Sequence, residues 1–303
     1  MKKYPLIIDC DPGIDDVLAV LVAHSKPEFD IKAICSVSGN VGIDLTTHNA
    51  RLMAGLLGLD CIIAKGAEKP LIKNVLPATE VHGLDGFGGY SSTFSDDKLS
   101  KLSDLSAIEV QRKILMESNE PVYIAATGPL TNIALLLSVH PEVKSKIAAI
   151  SIMGGGINIG NATPFSEFNY FTDPEAAYIV FNSGVKLMMC GLNVTLKATL
   201  TDMELNKMRE FHNTISDITV KILSSYAAND AGIHDPCAIL AISDTDMFEY
   251  KDQYVQIDTR AGITQGMSYV DEIHNLDKKP NCRVFYDIDR ESFRKAIVKA
   301  INI

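Results

Sequence analysis

Short runs of apolar residues recur along the chain, and longer amphipathic stretches separate them. Runs of this length are typical of buried strands, and the stretches between them have the spacing of helices. Strands that alternate with helices form a mostly parallel sheet with helices on both faces, so the predicted fold class is α/β. The runs that predict strands of this central sheet are Leu6 to Ile8, Ile31 to Val37, Cys61 to Ala64, Val122 to Ala126, Ala148 to Met153 and Leu187 to Cys190.

The last third of the chain departs from this alternation. No linker, internal repeat or low-complexity tract accompanies the change, so we expect residues 1–303 to form a single domain with embellishments. The pattern predicts helices at Met203 to Phe211, Ile215 to Ala228 and Glu291 to Ile301, and strands at Tyr254 to Thr259, Gly266 to Asp271 and Arg283 to Asp287.

The segment from Lys65 to Asp104 is rich in glycine and only weakly periodic. A loop of this length in a compact domain is more often functional than accidental. Its His82 has two interpretations. It contacts a ligand, or it is a mobile histidine exposed to solvent.

Composition narrows the classes of partner. The net charge is −10 and no lysine or arginine cluster is present, which argues against nucleic acid and anionic membranes. No apolar stretch reaches membrane-spanning length, and Met1 to Pro5 runs directly into the first strand, so we expect a cytoplasmic protein. The six cysteines include no Cys-x-x-Cys pair, and free thiols are expected.

The first predicted strand leads into an unusually acidic turn. Pro12 and Gly13 form the turn, and Asp15 and Asp16 fall in the first turn of a helix, where the helix dipole favours negative charge. Neighbouring helical residues point about 100° apart. Asp11 and one of this pair therefore converge, while the other is free for a second ligand. Such crowding is repulsive without a cation. An acidic helix cap at Asp9, the alternative, needs only one carboxylate.

Polar segments also begin where other predicted strands end, and ligands of parallel sheets bind beyond the carboxyl ends of the strands. One edge of the sheet therefore collects the candidate residues. These segments are Ser38 to Asn40, Thr127 to Pro129, Gly154 to Gly156 and Gly191 to Asn193.

Two further polar clusters follow. Between Gly160 and Asn169, two amides, a carboxylate and aromatic rings suit a polyhydroxylated ring, although asparagines that bond their own loop would give the same composition. The pair His234 and Asp235 precedes an apolar helix. A lone histidine is usually structural, but Asp235 could complete the charge around the postulated cation.

The order of these motifs resembles the inosine-uridine-preferring nucleoside hydrolase family, and the resemblance covers essentially the whole chain from Asp9 to Asp235. His234 indicates the branch of the family that has a histidine in the late motif. The motifs are Asp9-Cys10-Asp11-Pro12-Gly13-Ile14-Asp15-Asp16, Ser38-Gly39-Asn40, Thr127-Gly128-Pro129-Leu130-Thr131-Asn132, Met153-Gly154-Gly155-Gly156, Gly160 to Asn169, and His234-Asp235-Pro236.

The resemblance implies a Rossmann-like core and a calcium site made only of oxygen ligands, as a hard cation requires. The implied metal ligands are Asp11, Asp16, the main-chain carbonyl of Thr127, and Asp235. The implied substrate-binding residues are Asp15 at the 2′ or 3′ hydroxyl, Asn161, Glu167 and Asn169 at the rest of the ribose, Phe168 among the flanking aromatics, and Asn40 beside the metal. The resemblance also makes it plausible that Asp9 supports this site without being a metal ligand itself.

The implied reaction is hydrolysis of the N-glycosidic bond of a ribonucleoside. It builds positive charge on the sugar and negative charge on the departing base, so it needs anionic surroundings for the ring and a proton for the base. Asp11 is the candidate base for the water, and His234 the candidate acid for the leaving group. Tyr226 and His82 are alternative donors. The identity of the base stays open, and the family resemblance favours a homotetramer.

Two other function classes compete with this interpretation. An Asp-x-Asp motif after a first strand also marks phosphatases that use an aspartyl nucleophile, but those continue with Gly-Thr or Gly-Val, whereas Pro12 follows here. A non-catalytic protein that binds calcium and ribose would keep the same site. Every expected catalytic position is filled, which favours an enzyme.

Overall fold

A computed structural model describes residues 3–226, Asp230 and residues 232–302. The strands are β1 (Tyr4–Cys10), β2 (Phe29–Ser36), β3 (Ile62–Lys65), β4 (Val122–Ala126), β5 (Ile147–Met153), β6 (Leu187–Cys190), β7 (Phe248–Gln253), β8 (Val255–Ile257), β9 (Ser268–Val270) and β10 (Cys282–Ile288). The helices are α1 (Ile14–Ser25), α2 (Ile43–Leu56), α3 (Thr79–His82), α4 (Ala107–Glu117), α5 (Thr131–Val139), α6 (Phe168–Thr172), α7 (Pro174–Phe181), α8 (Leu192–Thr195), α9 (Asp202–Arg209), α10 (Thr214–Tyr226), α11 (Pro236–Ser243) and α12 (Arg290–Ile301). Short 3₁₀ turns lie at Ser91–Thr93, Asp96–Lys98, Pro141–Lys146 and Thr245–Met247.

Eight strands form the central sheet in the order β3-β2-β1-β4-β5-β6-β10-β7. Their neighbours pair in parallel, except that β7 runs antiparallel to β10 at the edge. The chain order reverses between β1 and β4, and a parallel sheet offers its ligand crevice at such a switch point. The strands β8 and β9 form a separate antiparallel hairpin.

Both faces of the sheet are covered, as the apolar runs predicted. Along β1, Leu6 and Ile8 pack with α1 and the helices of the last third, whereas Ile7 packs with α4 and α5 on the opposite face. Successive side chains of a strand point to opposite faces, so a strand buried on both sides needs a continuous apolar run. The predicted α/β fold class with helices on both faces is confirmed.

The strand β7 was missed by the sequence pattern. Four of its residues, Glu249 to Asp252, are exposed, so no apolar run marks it. An edge strand is covered on fewer sides than a central one, and charge there discourages pairing with other chains. The predicted helix end at Ala228 lies outside the described residues.

The glycine-rich segment is more ordered than its weak periodicity predicted. The Asp85 carboxylate accepts hydrogen bonds from the backbone N–H groups of Phe87, Gly89 and Ser91 at 2.8 to 3.0 Å. Gly86 and Gly88 adopt positive φ angles of 74° and 64°, which place these N–H groups around one side chain. The segment therefore folds back on itself, and α3 places His82 near the carboxyl end of β1, beside the start of α1.

None of the helices in the described ranges combines the length and the apolarity that crossing a bilayer requires. All six cysteines are free thiols, and only Cys61 is not fully buried.

Candidate active site

A cleft of about 600 Å³ opens at the switch point between β1 and β4. It brings together side chains from segments far apart in the sequence. Asp11 and Asp16 are buried at 1% and 0% exposure. The predicted site residues that line the cleft are Asp15, Asn40, His82, Thr127, Asn161, Glu167, Phe168, Asn169, Tyr226, His234 and Asp235.

Three buried carboxylates form a compact acidic cluster. Asp15, Asp16 and Asp235 each offer an oxygen, and these oxygens lie within 4.8 Å of one another. Burial, followed by the charge of Asp15, raises the pKa of Asp16 to about 6. Burial and the neighbouring aspartates also raise the pKa of Asp235 well above its usual value. Anions crowded in this way are unstable as a set of bare charges, whereas a divalent cation would neutralise them.

Asp11 lies beside this cluster in a cradle made by the backbone. Its Oδ2 accepts a hydrogen bond from the Asn40 N–H at 2.7 Å, while no described residue donates to its Oδ1. A side chain at Gly39 or Gly128 would collide with the Asp11 carboxylate. The glycines of two motifs are therefore explained by close approach of the backbone, and one buried oxygen of Asp11 stays available for a ligand.

Thr127 connects the acidic cluster to the opposite wall of the cleft. Its hydroxyl donates to Asp16 Oδ1 at 2.7 Å, and its carbonyl accepts from Asn169 Nδ2 at 2.8 Å. Its N–H donates to the carbonyl of Asp9 at 2.9 Å, which continues the pairing of β1 and β4. All three polar groups of this residue are thus engaged.

Asp9 belongs to a buried support layer. Its carboxylate accepts hydrogen bonds from Asn132, at 3.0 Å, and from Gln111. Burial outweighs these bonds and raises its pKa to about 7. The alternative of a helix cap is wrong, because Gly13 is the residue that caps α1. Gln111 lies in α4 outside every motif, so its contact with Asp9 could not be predicted from the sequence.

Glu167 is fixed by the start of α6. Its Oε1 accepts from the N–H of Asn169 at 2.7 Å, and its Oε2 accepts from Gly155 at 2.9 Å and Tyr170 at 3.2 Å. Burial raises its pKa in spite of these three bonds, which act in the opposite direction. The carboxylate therefore has one fixed orientation on the cleft wall.

The asparagines of this wall do bond within the fold, which was the alternative interpretation. Asn161 Oδ1 accepts from the N–H of Phe168 at 2.9 Å. Asn169 Nδ2 donates to the carbonyls of Thr127 and Met153 at 2.8 and 3.1 Å. Both residues also line the cleft, so these bonds within the fold are compatible with the predicted binding role.

His82 is buried at 6% exposure, so the interpretation as a mobile, exposed histidine is wrong. Its Nδ1 accepts a hydrogen bond from the N–H of Ile14 at 3.1 Å, and burial lowers its pKa to about 4. The ring is therefore neutral near pH 7 and carries its proton on Nε2. Its centroid lies 5.5 Å from that of Tyr226, whose hydroxyl donates to Asp15 Oδ2 at 3.4 Å.

His234 is held at both ring nitrogens. Nε2 lies 3.0 Å from Asp230 Oδ2, and Nδ1 lies 2.7 Å from the hydroxyl of Thr195. Burial lowers the pKa of His234, but the hydrogen bond and charge of Asp230 outweigh it and raise the pKa overall. Neither partner was singled out from the sequence. Asp230 is an acid only four residues before His234, but neither residue lies in a helix, so no rule of helical spacing pointed to the pair.

The family model described as inosine-uridine preferring nucleoside hydrolase matches residues 6–295. The chain belongs to this family. It is 41% identical over 302 residues to the pyrimidine-specific ribonucleoside hydrolase RihA of Escherichia coli O1:K1, covering 95% of each chain. It is also 41% identical over 299 residues to the enzyme of that name from Salmonella newport, again covering 95% of each.

Solved structures of nucleoside hydrolases share the fold. The purine-preferring ribonucleoside hydrolase from Gardnerella vaginalis superposes with a TM-score of 0.90 at 28% identity, covering 99% of this chain and 98% of that one. The plant nucleoside hydrolase PpNRh1 gives a TM-score of 0.92 at 28% identity, covering 99% of both. The protein is a ribonucleoside hydrolase that acts on N-glycosyl bonds, and the phosphatase and non-catalytic alternatives are set aside.

Proposed function

We propose that this nucleoside hydrolase depends on calcium and releases ribose and free base from ribonucleosides for nucleoside salvage. The observation that carries the calcium proposal is the buried acidic cluster with the unpartnered oxygen of Asp11 beside it. The donors are all oxygens, the set that a hard cation prefers. Asp11, Asp16, the Thr127 carbonyl and Asp235 would hold the ion. When bound, calcium would offset the crowded charge and modestly lower the pKa of a bound water.

The remaining roles are binding the sugar and activating the water, and side chains of the cleft fill both. Asp15 accepts a hydrogen bond from the 2′ or 3′ hydroxyl. Asn161, Glu167 and Asn169 bind the other side of the ribose. The buried carboxylate of Glu167 favours the positive charge that grows on the ring. Asp11 takes up the proton of the attacking water. Asn40, whose amide donates to Asp16 Oδ2 at 3.3 Å, keeps these carboxylates in place.

The departing base receives its proton on the opposite side of the cleft. His234 is the proposed donor, because Asp230 raises its pKa and stabilises the charged imidazole. Tyr226 and neutral His82 are the alternatives, and both line the same cleft. Phe168 contributes an aromatic wall.

Pyrimidine ribonucleosides are the proposed substrates. This preference rests on the relatives of 41% identity, whose names specify pyrimidines, whereas a purine-preferring structure matches at 28%. Initial rates with uridine, cytidine, inosine and adenosine test it directly, each with and without a chelator and after calcium is restored. Loss of activity in chelator and recovery with calcium are expected. Unchanged rates in a metal-free sample would overturn the calcium proposal, and faster purine hydrolysis would overturn the preference.

Deoxyribonucleosides test the sugar assignment. A substrate without the 2′ hydroxyl loses a contact in the acidic cluster, so 2′-deoxyuridine should react far more slowly than uridine. Equal rates would exclude the 2′ hydroxyl as the group that Asp15 binds. The homotetramer that the resemblance favours and the cytoplasmic location expected from the sequence remain proposals, which light scattering and cell fractionation would test.

A further inference from the structure

The β8–β9 hairpin stands apart from the central sheet, yet it contacts the ribose side of the cleft. Its Ser268 is 2% exposed. The hydroxyl of Ser268 accepts a hydrogen bond from the N–H of Gly156 at 2.9 Å and donates to the carbonyl of Gly156 at 2.8 Å. Both partners belong to a residue 112 positions away in the turn after β5. A buried side chain of the hairpin thus holds this turn.

The same turn binds the two proposed ribose residues. The N–H of Gly155 donates to Glu167 Oε2 at 2.9 Å, and the carbonyl of Met153 accepts from Asn169 Nδ2 at 3.1 Å. Gly155 adopts a φ of 71°, a conformation open mainly to glycine. The peptide group between Gly155 and Gly156 is fixed from two sides, because Leu192 donates to the carbonyl of Gly155 at 2.8 Å.

We propose that Ser268 is a positioning residue for ribose hydrolysis, acting through the Met153–Gly156 turn on the carboxylate of Glu167. This inference rests on the proposed role of Glu167. Without the hydroxyl, the buried N–H of Gly156 loses its acceptor, and its peptide group, now held from one side only by Leu192, tilts toward another partner. The N–H of Gly155 then leaves the position at which it restrains Glu167. A small displacement of a charge that stabilises the transition state lowers the rate of the chemical step.

The hairpin makes a second contact that supports the same role. Thr163 Oγ1 donates to the carbonyl of Ile263 at 2.9 Å, and a side chain at Gly266 would collide with Phe171 of α6. The hairpin therefore packs against both ends of the segment that carries Glu167 and Asn169. Among the described residues of the hairpin, Ser268 is the one whose hydroxyl forms hydrogen bonds with the Met153–Gly156 turn.

The test is a double-mutant cycle on the calcium-loaded enzyme with the fastest of the four ribonucleosides. Ser268→Ala should lower kcat about 10- to 100-fold and change KM less than about threefold. Ser268→Thr keeps the hydroxyl and should recover most of kcat. Gln256→Ala, an exposed neighbour on β8, is the matched control and should leave both constants unchanged. Unaltered kcat in Ser268→Ala would overturn the inference.

The cycle is closed with Glu167→Gln and the double variant. If Ser268 acts through Glu167, the double variant should be no slower than Glu167→Gln alone, whereas multiplied losses would show an independent effect and overturn the inference. A normal kcat in Glu167→Gln would instead refute the proposed role of Glu167, so the two failures differ. Thermal unfolding of each variant accompanies the kinetics. If Ser268→Ala does not fold, Ser268→Cys replaces it in the same cycle, with the same outcomes.

Discussion

The two sides of the cleft are built differently. On the cation side, carboxylates from the β1–α1 turn meet Asp235 at the start of α11, and backbone groups such as the Asn40 N–H fix them. On the base side, the rings of His82 from α3 and Tyr226 from the end of α10 pack against each other, and His234 lines the same cleft. Apart from Asp235, the first side is built at strand ends of the central sheet. The second side comes from elements outside the sheet, although His82 and Tyr226 also bond to Ile14 and Asp15 at the start of α1.

This difference matches the chemistry proposed for each side. Every ribonucleoside presents the same ribose, so a rigid arrangement of carboxylates and backbone groups suits the cation side. The base differs between the pyrimidine-specific relatives and the purine-preferring one. Side chains on separate elements can be replaced without disturbing the sheet. The predictions below test whether the two sides are functionally separate.

The largest effect is expected on the cation side. Asp11→Asn and Asp16→Asn each remove a charge from the proposed calcium site, and Asp11 is also the proposed base for water. Turnover should fall at least about 1000-fold, because metal catalysis supplies several kcal/mol. Steady-state rates and the metal content of the purified variants measure this. Near-normal rates with no bound calcium would contradict the assignment.

The second-largest effect should distinguish the base side of the cleft from the cation side. His234→Ala should slow hydrolysis of natural nucleosides by about 10²–10⁴-fold, the usual contribution of a general acid. A nitrophenyl riboside, whose leaving group departs as a stable anion, should be largely spared. Asp16→Asn, the matched comparison, should lose activity on both substrates. Equal losses in His234→Ala would make His234 structural and direct attention to Tyr226 and His82.

A smaller effect is expected at the ribose wall. Glu167→Gln and Asn169→Ala should lower kcat roughly 10- to 100-fold and alter KM much less, since their contacts strengthen as the ring gains charge. Michaelis parameters on both the natural and the nitrophenyl substrate give the measurement. A rise in KM alone would mean that these residues bind the substrate without favouring its transition state.

The smallest effect concerns stability and pH. His82 has a pKa of about 4 in the folded protein against 6.5 ordinarily, so the unfolded chain binds the proton first. The contribution of neutral His82 to the free energy of unfolding is complete above pH 6.5. It is lost as the pH falls toward 4, at about 1.4 kcal/mol per pH unit. Between pH 7.5 and 5 the wild-type protein should therefore lose about 2 kcal/mol more than His82→Gln. Chemical unfolding at both pH values tests this, and parallel losses would refute it.

The sequence predicted the cation side far better than the base side, for a physical reason. Asp11, Asp15 and Asp16 are neighbours in the chain, and a strand followed by a helix places them together wherever else the chain goes. Gly39 and Gly128 lie in two further short motifs, and at both positions the Asp11 carboxylate leaves no room for a side chain. Local rules of turns and helix ends were therefore sufficient for these three aspartates. Thr127 and Asp235 come from distant segments, and the family resemblance, not a local rule, added them to the prediction.

The base side depends on packing between distant segments, which periodicity does not describe. His82 was left between an exposed and a binding interpretation, because its burial follows from the fold of the glycine-rich segment around Asp85. The bonds from His234 to Asp230 and Thr195 join residues that no motif connected. The edge strand β7 was missed because its surface is charged.

Thr127 connects the proposed ion site and the proposed sugar site of the enzyme. Its hydroxyl holds Asp16 and its carbonyl holds Asn169, so one peptide unit touches both the proposed ion site and the proposed sugar site. If occupancy of either site changes the position of this unit, the affinities for calcium and ribose are coupled. Linkage then requires that each ligand alter the affinity for the other by the same factor. The calcium level would thereby set how much nucleoside the enzyme captures.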